Sequence, residues 1–282
     1  MKLFLYTNEI MTIIKAYLTQ TLRFLKIIYL IDKIRFYFHK IKYYKKNNKF
    51  KKKNPDFVLP PDYLLYEAFR LDYEKYYESG LATAKWLKSI FEKYVELQNV
   101  RILDWGCGPA RIVRHFPNVL GNNIFFATDY NSETIKWCRE NIKAVEFNHN
   151  SLEAILPYED NYFDIIYGLS IFTHLSESKH YEWARELLRI LKRQGIFVFS
   201  TQGKIYLPKL TSKEQKQFRD GKLVVRSSEY EGHRVFSSFQ SPEFIRKLFA
   251  NEEIIEHIEP PATKENPYPQ DLWIVRKISG SQ

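Results

Sequence analysis

From position 100 onward, short apolar runs alternate with longer amphipathic segments. This alternation indicates a parallel β-sheet with helices on both faces, because parallel strands need a crossover connection that is usually helical. The sequence therefore predicts an α/β, doubly wound domain. The predicted strands are RILDW, NIFFATD, VEFNH, FDIIYGL and GIFVFST, then residues 253–259 and 271–276, and the predicted helices cover residues 109–117, 131–142, 151–155, 178–192 and 241–250.

The chain before the sheet divides into an extension and a lid. Residues 1–53 form a basic amphipathic segment whose last part, residues 45–53, is predicted to be a flexible linker. Residues 54–99 predict a helical lid, and residues 100–278 form the main domain. Within that domain, residues 204–240 break the rhythm of strands and helices and are expected to be an insertion. Because the sheet elements all follow the extension, its removal is expected to leave the fold intact.

Positive charge is concentrated in the extension. Residues 1–53 carry 14 of the 43 basic side chains and two of the 33 acidic ones, so the rest of the chain has a net charge near −2. The extension predicts a long helix with three alternative partners: an anionic membrane surface, the domain itself, or another protein. It lacks an apolar run of the roughly 20 residues that span a bilayer, and it lacks the ordered regions of a signal peptide. We expect a cytoplasmic protein that the basic helix can bring to the inner face of a membrane.

Two other partners are disfavoured by the sequence. Cys107 and Cys138 form no CxxC pair and lie at no zinc-ligand spacing from a histidine, so no metal site is predicted and a reducing compartment fits best. Nucleic acid is an unfavoured partner, because the body of the chain is near neutral and a basic arm alone does not specify RNA.

A glycine turn follows the first predicted strand. Gly106 and Gly108 stand where the backbone must turn sharply and approach a ligand, and open parallel sheets bind ligands at this edge. A dinucleotide fingerprint would need a third glycine where Arg111 stands, which argues against a nicotinamide enzyme. Asp104, at the end of the strand, favours a cationic ligand over a pyrophosphate.

A second acidic residue ends the next predicted strand. The carboxylate of Asp129 can accept hydrogen bonds from both hydroxyls of a ribose, and Tyr130 beside it offers an aromatic face to adenine. S-adenosylmethionine carries a sulfonium, an amino group, a ribose and an adenine. The two strand ends and the glycine turn together fit that ligand.

Over roughly residues 60–277 the chain resembles the class I S-adenosylmethionine-dependent methyltransferases. ILDWGCGPAR is similar to the family's first motif, ATDYNSETIKWC to its second, LPYEDNYFDIIYGLSIFTHL to its fourth strand and following turn, and LLRILKRQGIFVFSTQG to its leader-helix block. Two departures are Ala110 at the third loop glycine and Arg193-Gln194-Gly195 in place of Pro-Gly-Gly. The resemblance implies S-adenosylmethionine as cofactor and a Rossmann-like sheet of seven strands in the order 3-2-1-4-5-7-6, with the last strand antiparallel.

The candidate cofactor site combines residues inferred from their chemistry with residues implied by the resemblance. Asn150, Ser151 and Leu152 match the stretch after the third strand that usually faces adenine. The full candidate set is Asp104, Gly106, Cys107, Gly108, Arg111, Asp129, Tyr130, Asn150, Ser151, Leu152, Gly168 and Ser170.

A weaker resemblance concerns the acceptor. IKWC, SIFTHLSE and PQDLWIVRK are similar to a bacterial subgroup found among surface-glycan and secondary-metabolite enzymes, which suggests methyl transfer to an oxygen or nitrogen of a sugar-like or small-metabolite acceptor. One alternative is a cofactor-binding scaffold without transfer activity. Another is an RNA-modifying enzyme, although Gly168-Leu169-Ser170 stands where Asn or Asp followed by Pro-Pro-Tyr would be expected for base methylation.

Several side chains have two interpretations. His174 follows the fourth predicted strand and is the candidate general base, or it bonds to a helix start and shapes the pocket. Arg111 contacts the cofactor carboxylate, or it is a solvated residue in the first turn of a helix. Cys107 is expected to be a small packing residue inside the turn rather than a nucleophile. His233 and Arg234, in the insertion, cover the acceptor site or lie in an exposed loop.

Overall fold

Seven strands form one sheet in the computed structural model, which describes residues 28–226, 231–232, 236–278 and 280. Their order is β3-β2-β1-β4-β5-β9-β8, and β9 runs antiparallel to both of its neighbours. This confirms the predicted α/β fold and the predicted strand order, in which the seventh strand of the sheet lies between the fifth and the sixth. The strands of this sheet are β1 (Arg101–Trp105), β2 (Ile124–Asp129), β3 (Glu146–His149), β4 (Phe163–Gly168), β5 (Leu191–Thr201), β8 (Glu253–Ile258) and β9 (Asp271–Arg276).

The helices of the described chain precede, connect and follow these strands. Several begin at a side chain that accepts a backbone N–H, as Asn131 and Ser241 do from Thr134 and Phe244, which satisfies an otherwise unpaired donor. The α-helices are α1 (Ile28–Lys53), α2 (Asp62–Ala68), α3 (Tyr73–Phe91), α4 (Phe116–Leu120), α5 (Ser132–Asn141), α6 (Glu177–Ile190), α7 (Ser212–Arg219) and α8 (Pro242–Leu248), with 3₁₀ turns at Val113–His115, Phe172–His174 and Lys204–Lys209. None of the described helices has both the length and the apolar character needed to cross a bilayer.

Two apolar layers hold the sheet between helices. Successive residues of a strand point to opposite faces, so Ile102 packs on the same side as Phe91 of α3, whereas Leu103 packs on the side of Trp183 from α6. Both strand residues are fully buried. The apolar runs recognised in the sequence are thus strands covered on both faces.

The parallel strands end at one edge of the sheet. Asp104 of β1 lies opposite Ala127 of β2 on one side and opposite Tyr167 of β4 on the other. The turns that follow β1, β2 and β4 therefore come together, and this edge carries the candidate site.

The predicted helix at residues 151–155 is wrong. This segment is a series of bends in which Ala154 packs against the core and Ile155 is 70% exposed. Within it, the N–H of Glu153 donates to the hydroxyl of Ser151, and the N–H of Ile155 donates to the carbonyl oxygen of Glu153. Directly after it, Glu186 of α6 accepts from the N–H of Leu156 at 2.6 Å, and Arg189 donates to the carbonyl oxygen of Leu156. Short local bonds, followed by bonds to side chains of α6, thus satisfy this stretch of backbone without a helix.

The predicted helix at residues 109–117 is also replaced by shorter elements. Ala110 adopts a φ of 57°, outside the helical region, and keeps the chain in the turn. Helical backbone starts only with the 3₁₀ turn at Val113 and continues into α4, where Pro117 occupies the first turn without needing a hydrogen bond for its nitrogen.

The predicted linker at residues 45–53 is wrong, because these residues complete α1. Asn47 and Phe50 are buried, 6% exposed each. The side chain of Asn47 donates to the carbonyl oxygen of Leu71 and accepts from the N–H of Tyr73, which fixes the end of α1 against the start of α3. Lysines favour helix formation, and the two buried residues among them, three positions apart, supply the contact.

Residues 204–226 and 236–240 lie outside the main sheet. They contain the 3₁₀ turn Lys204–Lys209, α7 and a two-stranded sheet of β6 (Val224–Arg226) and β7 (Ser237–Phe239). A buried ion pair between Arg226 and Glu214 joins β6 to α7 at 2.6 Å. The boundaries 1–53, 54–99 and 100–278 and the insertion near 204–240 stay a proposed division of the chain.

Candidate functional site

The turn after β1 is tied directly to β2. The backbone N–H groups of Gly106 and Cys107 both donate to the carbonyl oxygen of Thr128, at 2.8 and 2.9 Å. Gly106 has a φ of 76°, and a Cβ at this position would stand 2.2 Å from Cδ1 of Ile171. The left-handed backbone and this close approach both require glycine at Gly106.

Ala110 takes the left-handed conformation that the family's third glycine would take. Its φ of 57° costs an alanine on the order of 1 kcal/mol, and its side chain is fully buried. The substitution noted in the sequence thus keeps the shape of the turn.

Asp129 connects the turn to the start of α5. One carboxylate oxygen accepts from the N–H of Gly108 at 2.8 Å and the other from the N–H of Asn131 at 2.9 Å. Burial raises the pKa of Asp129, and these two N–H groups oppose the rise by favouring the charged form. Since each carboxylate oxygen has two lone pairs, both oxygens retain an acceptor position for a ligand hydroxyl.

Asp104 is a buried carboxyl in the same region, 4% exposed. Burial raises its pKa to about 7, against the opposing effects of the Tyr167 hydroxyl and the positive charge of Arg111. A cationic ligand bound beside this buried carboxyl would stabilise its charged form, and the charged form would in turn strengthen binding of the cation.

These residues line one cleft with two adjoining chambers. Every predicted cofactor residue except Gly168 lines one or both chambers. Gly168 packs beneath Trp105, where a Cβ would stand 2.6 Å from the indole ring. Both chambers are lined by Gly106, Asp129, Tyr130, Ile171, His174 and Gly232; the larger adds Asp104, Cys107, Gly108, Arg111 and Ser170, and the smaller adds Asn150, Ser151 and Leu152.

The smaller chamber contains a buried acceptor. Asn150 is 7% exposed, and its Oδ1 has no hydrogen-bond partner within the described part of the chain, whereas its Nδ2 donates to the carbonyl oxygen of Ser151 at 2.8 Å. A buried amide oxygen without a partner is costly, and a ligand N–H would satisfy it. Tyr130 and Leu152, each 36% exposed, offer apolar surface in the same chamber.

Sequence reasoning missed the part of the cleft built by elements outside the sheet. Leu64, Glu67 and Ala68 of α2, with Phe69 directly after it, line the larger chamber, and Gly232 belongs to the insertion. The one signal in the sequence for this lining is the aromatic and apolar character of residues 64–69, LLYEAF. Among the other missed residues, Asn131 and Ile171 directly follow predicted ones in the sequence, and Thr134 lies in the first turn of α5.

Arg111 belongs to the cleft, so the interpretation as a solvated helix residue is wrong. Its guanidinium lies 4.7 Å from the ring centroid of Phe69 and donates weakly to the hydroxyls of Ser79 and Thr83, at 3.3 and 3.4 Å. Burial lowers its pKa, while the negative charge of Asp104 raises it. Within the described chain no carboxylate forms an ion pair with Arg111, and a planar guanidinium in such a place suits a ligand carboxylate.

His174 lies in the 3₁₀ turn after β4 and lines both chambers. Its Nδ1 lies 2.8 Å from the carbonyl oxygen of Phe236. A carbonyl oxygen only accepts, so Nδ1 carries the proton, and in the neutral imidazole Nε2 holds the lone pair. The contact with Phe236 thus fixes the tautomer of the neutral imidazole.

The two cysteines are buried thiols, and the two candidates in the insertion are not described by the structure. Burial raises the pKa of Cys107 well above its ordinary value, so its thiol stays protonated, as expected of a packing residue. Burial likewise raises the pKa of Cys138, to about 12, and this side chain belongs to the core. His233 and Arg234 lie outside the described residues.

A separate polar group lies on β8 and β9. His257 is 2.9 Å from Asp271 and is stacked on Trp273, while Lys204 pairs with Glu259 at 3.1 Å. The ligand atoms of His257, Glu259 and Asp271 lie within 4.8 Å of one another. The ion pair of Lys204 with Glu259 and the hydrogen bond between His257 and Asp271 give these side chains a structural explanation.

Comparison with known proteins finds a family match for the first five strands of the sheet. The sequence profile of a family described as "Methyltransferase domain" matches residues 103–199, which run from β1 into β5. A malonyl-[acyl-carrier protein] O-methyltransferase of Bacillus cereus is 29% identical over 136 residues, 47% of this chain and 49% of the relative. The corresponding protein of Bacillus anthracis is 27% identical over 156 residues, 55% of this chain and 56% of the relative. The chain thus spans about half the length of the curated relatives it matches.

Solved structures share the fold at low sequence identity. A SAM-dependent methyltransferase from Methanosarcina mazei has 20% identity and a TM-score of 0.53, over 67% of this chain and 97% of that one. An S-adenosylmethionine-dependent methyltransferase from Mesorhizobium loti has 15% identity and a TM-score of 0.53, over 70% of this chain and all of the other. At such identities the likeness concerns the fold.

Proposed function

We propose that this chain is a class I S-adenosylmethionine-dependent methyltransferase that transfers the methyl group to an oxygen of a small acceptor. The match of residues 103–199 to a methyltransferase-domain family supports the activity, and the shared fold agrees with it. The observation that carries the proposal is the tautomer of His174, whose Nδ1 is held by the carbonyl oxygen of Phe236 in a cleft that also contains Asp104. The cofactor, when bound, supplies a methyl group on a positively charged sulfur, which retains the electron pair of the broken bond.

The cleft fits this cofactor residue by residue. Asp129 is proposed to hold the ribose hydroxyls, because both of its oxygens face backbone donors and still have acceptor capacity. Asn150 offers its unpaired Oδ1 to the adenine amine, and Tyr130 offers its ring to the adenine face. Asp104 supplies negative charge for the cationic end, and Arg111 suits the carboxylate.

His174 is proposed to accept the proton of an acceptor hydroxyl. A hydroxyl is a weak nucleophile while it keeps its proton, so a base within reach of it lowers the barrier. The neutral imidazole has its lone pair on Nε2, since Nδ1 donates to Phe236. An acceptor amine that is already uncharged would gain less from such a base, so this arrangement favours oxygen over nitrogen.

Two acceptor classes are open to an oxygen methyltransferase. A sugar-like or small-metabolite hydroxyl needs the base that His174 provides. A carboxylate needs no base, and the named activity of the Bacillus relatives, malonyl-[acyl-carrier protein] O-methylation, makes it the second candidate. We favour the hydroxyl, because it has a proton that Nε2 of His174 can accept, whereas a carboxylate has none. The proposed place of the reaction is the cytoplasm, with the basic N-terminal helix as a route to the inner face of an anionic membrane.

The experiment that tests the proposal identifies the labelled product. Purified protein, isotopically methyl-labelled cofactor and a small-molecule extract are incubated, and labelled compounds are analysed by mass spectrometry before and after mild alkali. A methyl ether survives alkali, whereas a methyl ester is hydrolysed. Label in an alkali-stable O-methyl group supports the hydroxyl acceptor, label in an ester supports the carboxylate, and label on nitrogen contradicts both.

A further inference from the structure

Helix α1 presents an apolar stripe to solvent. With 3.6 residues per turn, side chains spaced alternately by three and four positions lie along one side of a helix. The exposed fractions along this stripe range from 47% for Ile34 to 76% for Ile41. Its members are Leu30, Ile34, Tyr37, Phe38, Ile41 and Tyr44.

Basic side chains border the stripe on both sides. Helical geometry places Lys33 and Lys40 along one edge and Arg35, Lys42 and Lys49 along the other. All five are exposed. Lys40 pairs with Asp62 of α2 at 3.1 Å, and the other four form no ion pair among the described residues.

The opposite side of α1 is already packed against the domain. Phe36 contacts the rings of Tyr63 and Tyr66 at centroid distances of 5.5 and 5.3 Å, and Phe50 is buried beside α3. The exposed stripe is therefore a second, outward face of a helix whose inward face is satisfied.

We propose that the outward face of α1 binds an anionic lipid surface, with the apolar stripe entering the interface and the flanking basic side chains contacting lipid phosphates. An apolar stripe bordered by Lys and Arg is the pattern of helices that lie in the plane of a membrane surface. The proposal rests on the membrane attachment suggested under the proposed function and names the surface of α1 that would make the contact. Vesicle binding needs no methyl transfer, so either proposal can fail alone.

The positive charge of α1 favours an anionic partner for the exposed stripe over a second copy of the chain or residues 1–27. Residues 28–53 contain ten Lys and Arg side chains and one acidic residue, so a second copy packed along the stripe would bring a like charge against it. Residues 1–27 contain four basic side chains and one acidic residue, so they would also add positive charge. An anionic lipid surface satisfies both the apolar stripe and its basic borders.

The lid links this surface to the cleft. Asp62, Tyr63 and Tyr66 of α2 contact side chains of α1. The same helix provides Leu64 and Glu67 to the lining of the larger chamber. A membrane bound on the outer face of α1 would therefore lie one helix away from the chamber wall.

The test is sedimentation of the full-length protein with vesicles of phosphatidylcholine alone or mixed with phosphatidylglycerol. Binding is expected only with the mixed vesicles and is expected to weaken as salt rises. A triple variant of border residues, Lys33→Gln with Lys42→Gln and Lys49→Gln, should weaken binding on the order of a hundredfold. The matched control removes equal charge elsewhere, with Lys85→Gln, Lys136→Gln and Lys213→Gln, and should bind like the wild type.

A second pair of variants tests the apolar stripe. Ile34→Ser with Ile41→Ser should weaken vesicle binding at least about tenfold and leave thermal stability unchanged, because both side chains are exposed. Ile155→Ser, at an equally exposed site on the domain, is the control. The proposal is overturned if wild-type protein stays in the supernatant, if neutral vesicles bind it equally, or if the α1 variants bind like their controls. It is also overturned if the isoleucine variant loses a self-associated form in analytical ultracentrifugation and keeps its vesicle binding, since the stripe would then serve a second copy.

Discussion

Nδ1 of His174 donates a hydrogen bond to the carbonyl oxygen of Phe236 over 2.8 Å. Phe236 is fully buried and directly precedes β7, so the imidazole is oriented by the inserted part of the chain. The contact joins the turn after β4 to that insertion and leaves the lone pair on Nε2. The insertion is thus proposed to position the candidate base.

The first prediction concerns this base. His174→Ala should lower turnover by ~10²- to 10⁴-fold and leave cofactor affinity nearly unchanged. The wild-type rate should fall at acidic pH, because a protonated imidazole cannot accept the proton, and the variant should lose this decline. Steady-state rates across pH, with cofactor affinity measured by calorimetry, check both statements. A variant that loses affinity or thermal stability while keeping the decline at acidic pH would show that His174 is structural.

The second prediction uses the raised pKa of Asp104. Burial holds this pKa near 7, above the ordinary value of a carboxyl, so Asp104 becomes protonated as the pH falls through 7. The charged form attracts a cation, so cofactor affinity should decrease by up to about tenfold per pH unit below 7. Calorimetric titrations at pH 8, 7 and 6 compare the wild type with Asp104→Asn, which has no such proton and shares any titration of the ligand itself. Identical pH dependence in both proteins would exclude Asp104 from the cationic end of the site.

The third prediction concerns Asp129. Asp129→Ala should cost ~1.5 to 3 kcal/mol of cofactor affinity, the range of a hydrogen bond to a charged group. The N–H groups of Gly108 and Asn131 would also lose their acceptor, so Asp129→Asn, which keeps one carbonyl oxygen, should lose less. Thermal denaturation confirms that each variant is folded. Unchanged affinity in a folded alanine variant would show that Asp129 does not hold the ribose.

The fourth prediction concerns the N-terminal helix. The sequence suggests that residues 1–53 can be removed without loss, but Phe50 is buried with Leu65 and Tyr76, which argues otherwise. Phe50→Ala should lower the free energy of unfolding by about 3 kcal/mol. Ile41→Ala, on the exposed stripe of the same helix, should change it by less than about 0.5 kcal/mol. Equal denaturation midpoints for the two variants would mean that α1 does not stabilise the domain.

The sequence predicts the sheet edge well because the signal there is local. A buried parallel strand is an apolar run, and Asp104 and Asp129 each follow such a run directly. The turn must contain Gly106, since its backbone is left-handed and close to Ile171. These constraints act between near neighbours in the chain, so they can be recognised without a structure.

The parts that were missed depend on contacts between distant residues. Phe69 reaches Arg111 across 42 positions in the chain, and nothing in either local pattern announces the pairing. Glu186 and Arg189, some 30 positions away, bind the backbone of Leu156 directly after the segment that was predicted to be helical. The lysine-rich end of α1 is anchored by Asn47, whose partners lie 24 and 26 positions away. Tertiary packing decided all three.

The most direct test of methyl transfer by this cleft is the release of S-adenosylhomocysteine, measured together with labelled product. Full-length wild-type protein and the Asp104→Asn variant are incubated with labelled cofactor, with and without a fractionated small-molecule extract. The wild type should release one S-adenosylhomocysteine for each O-methyl group formed, only when the extract is present, and the variant should lose this activity at cofactor concentrations that suffice for the wild type. Stoichiometric cofactor binding by the wild type with no S-adenosylhomocysteine released above the protein-free background in any fraction would contradict the account and identify a cofactor-binding scaffold.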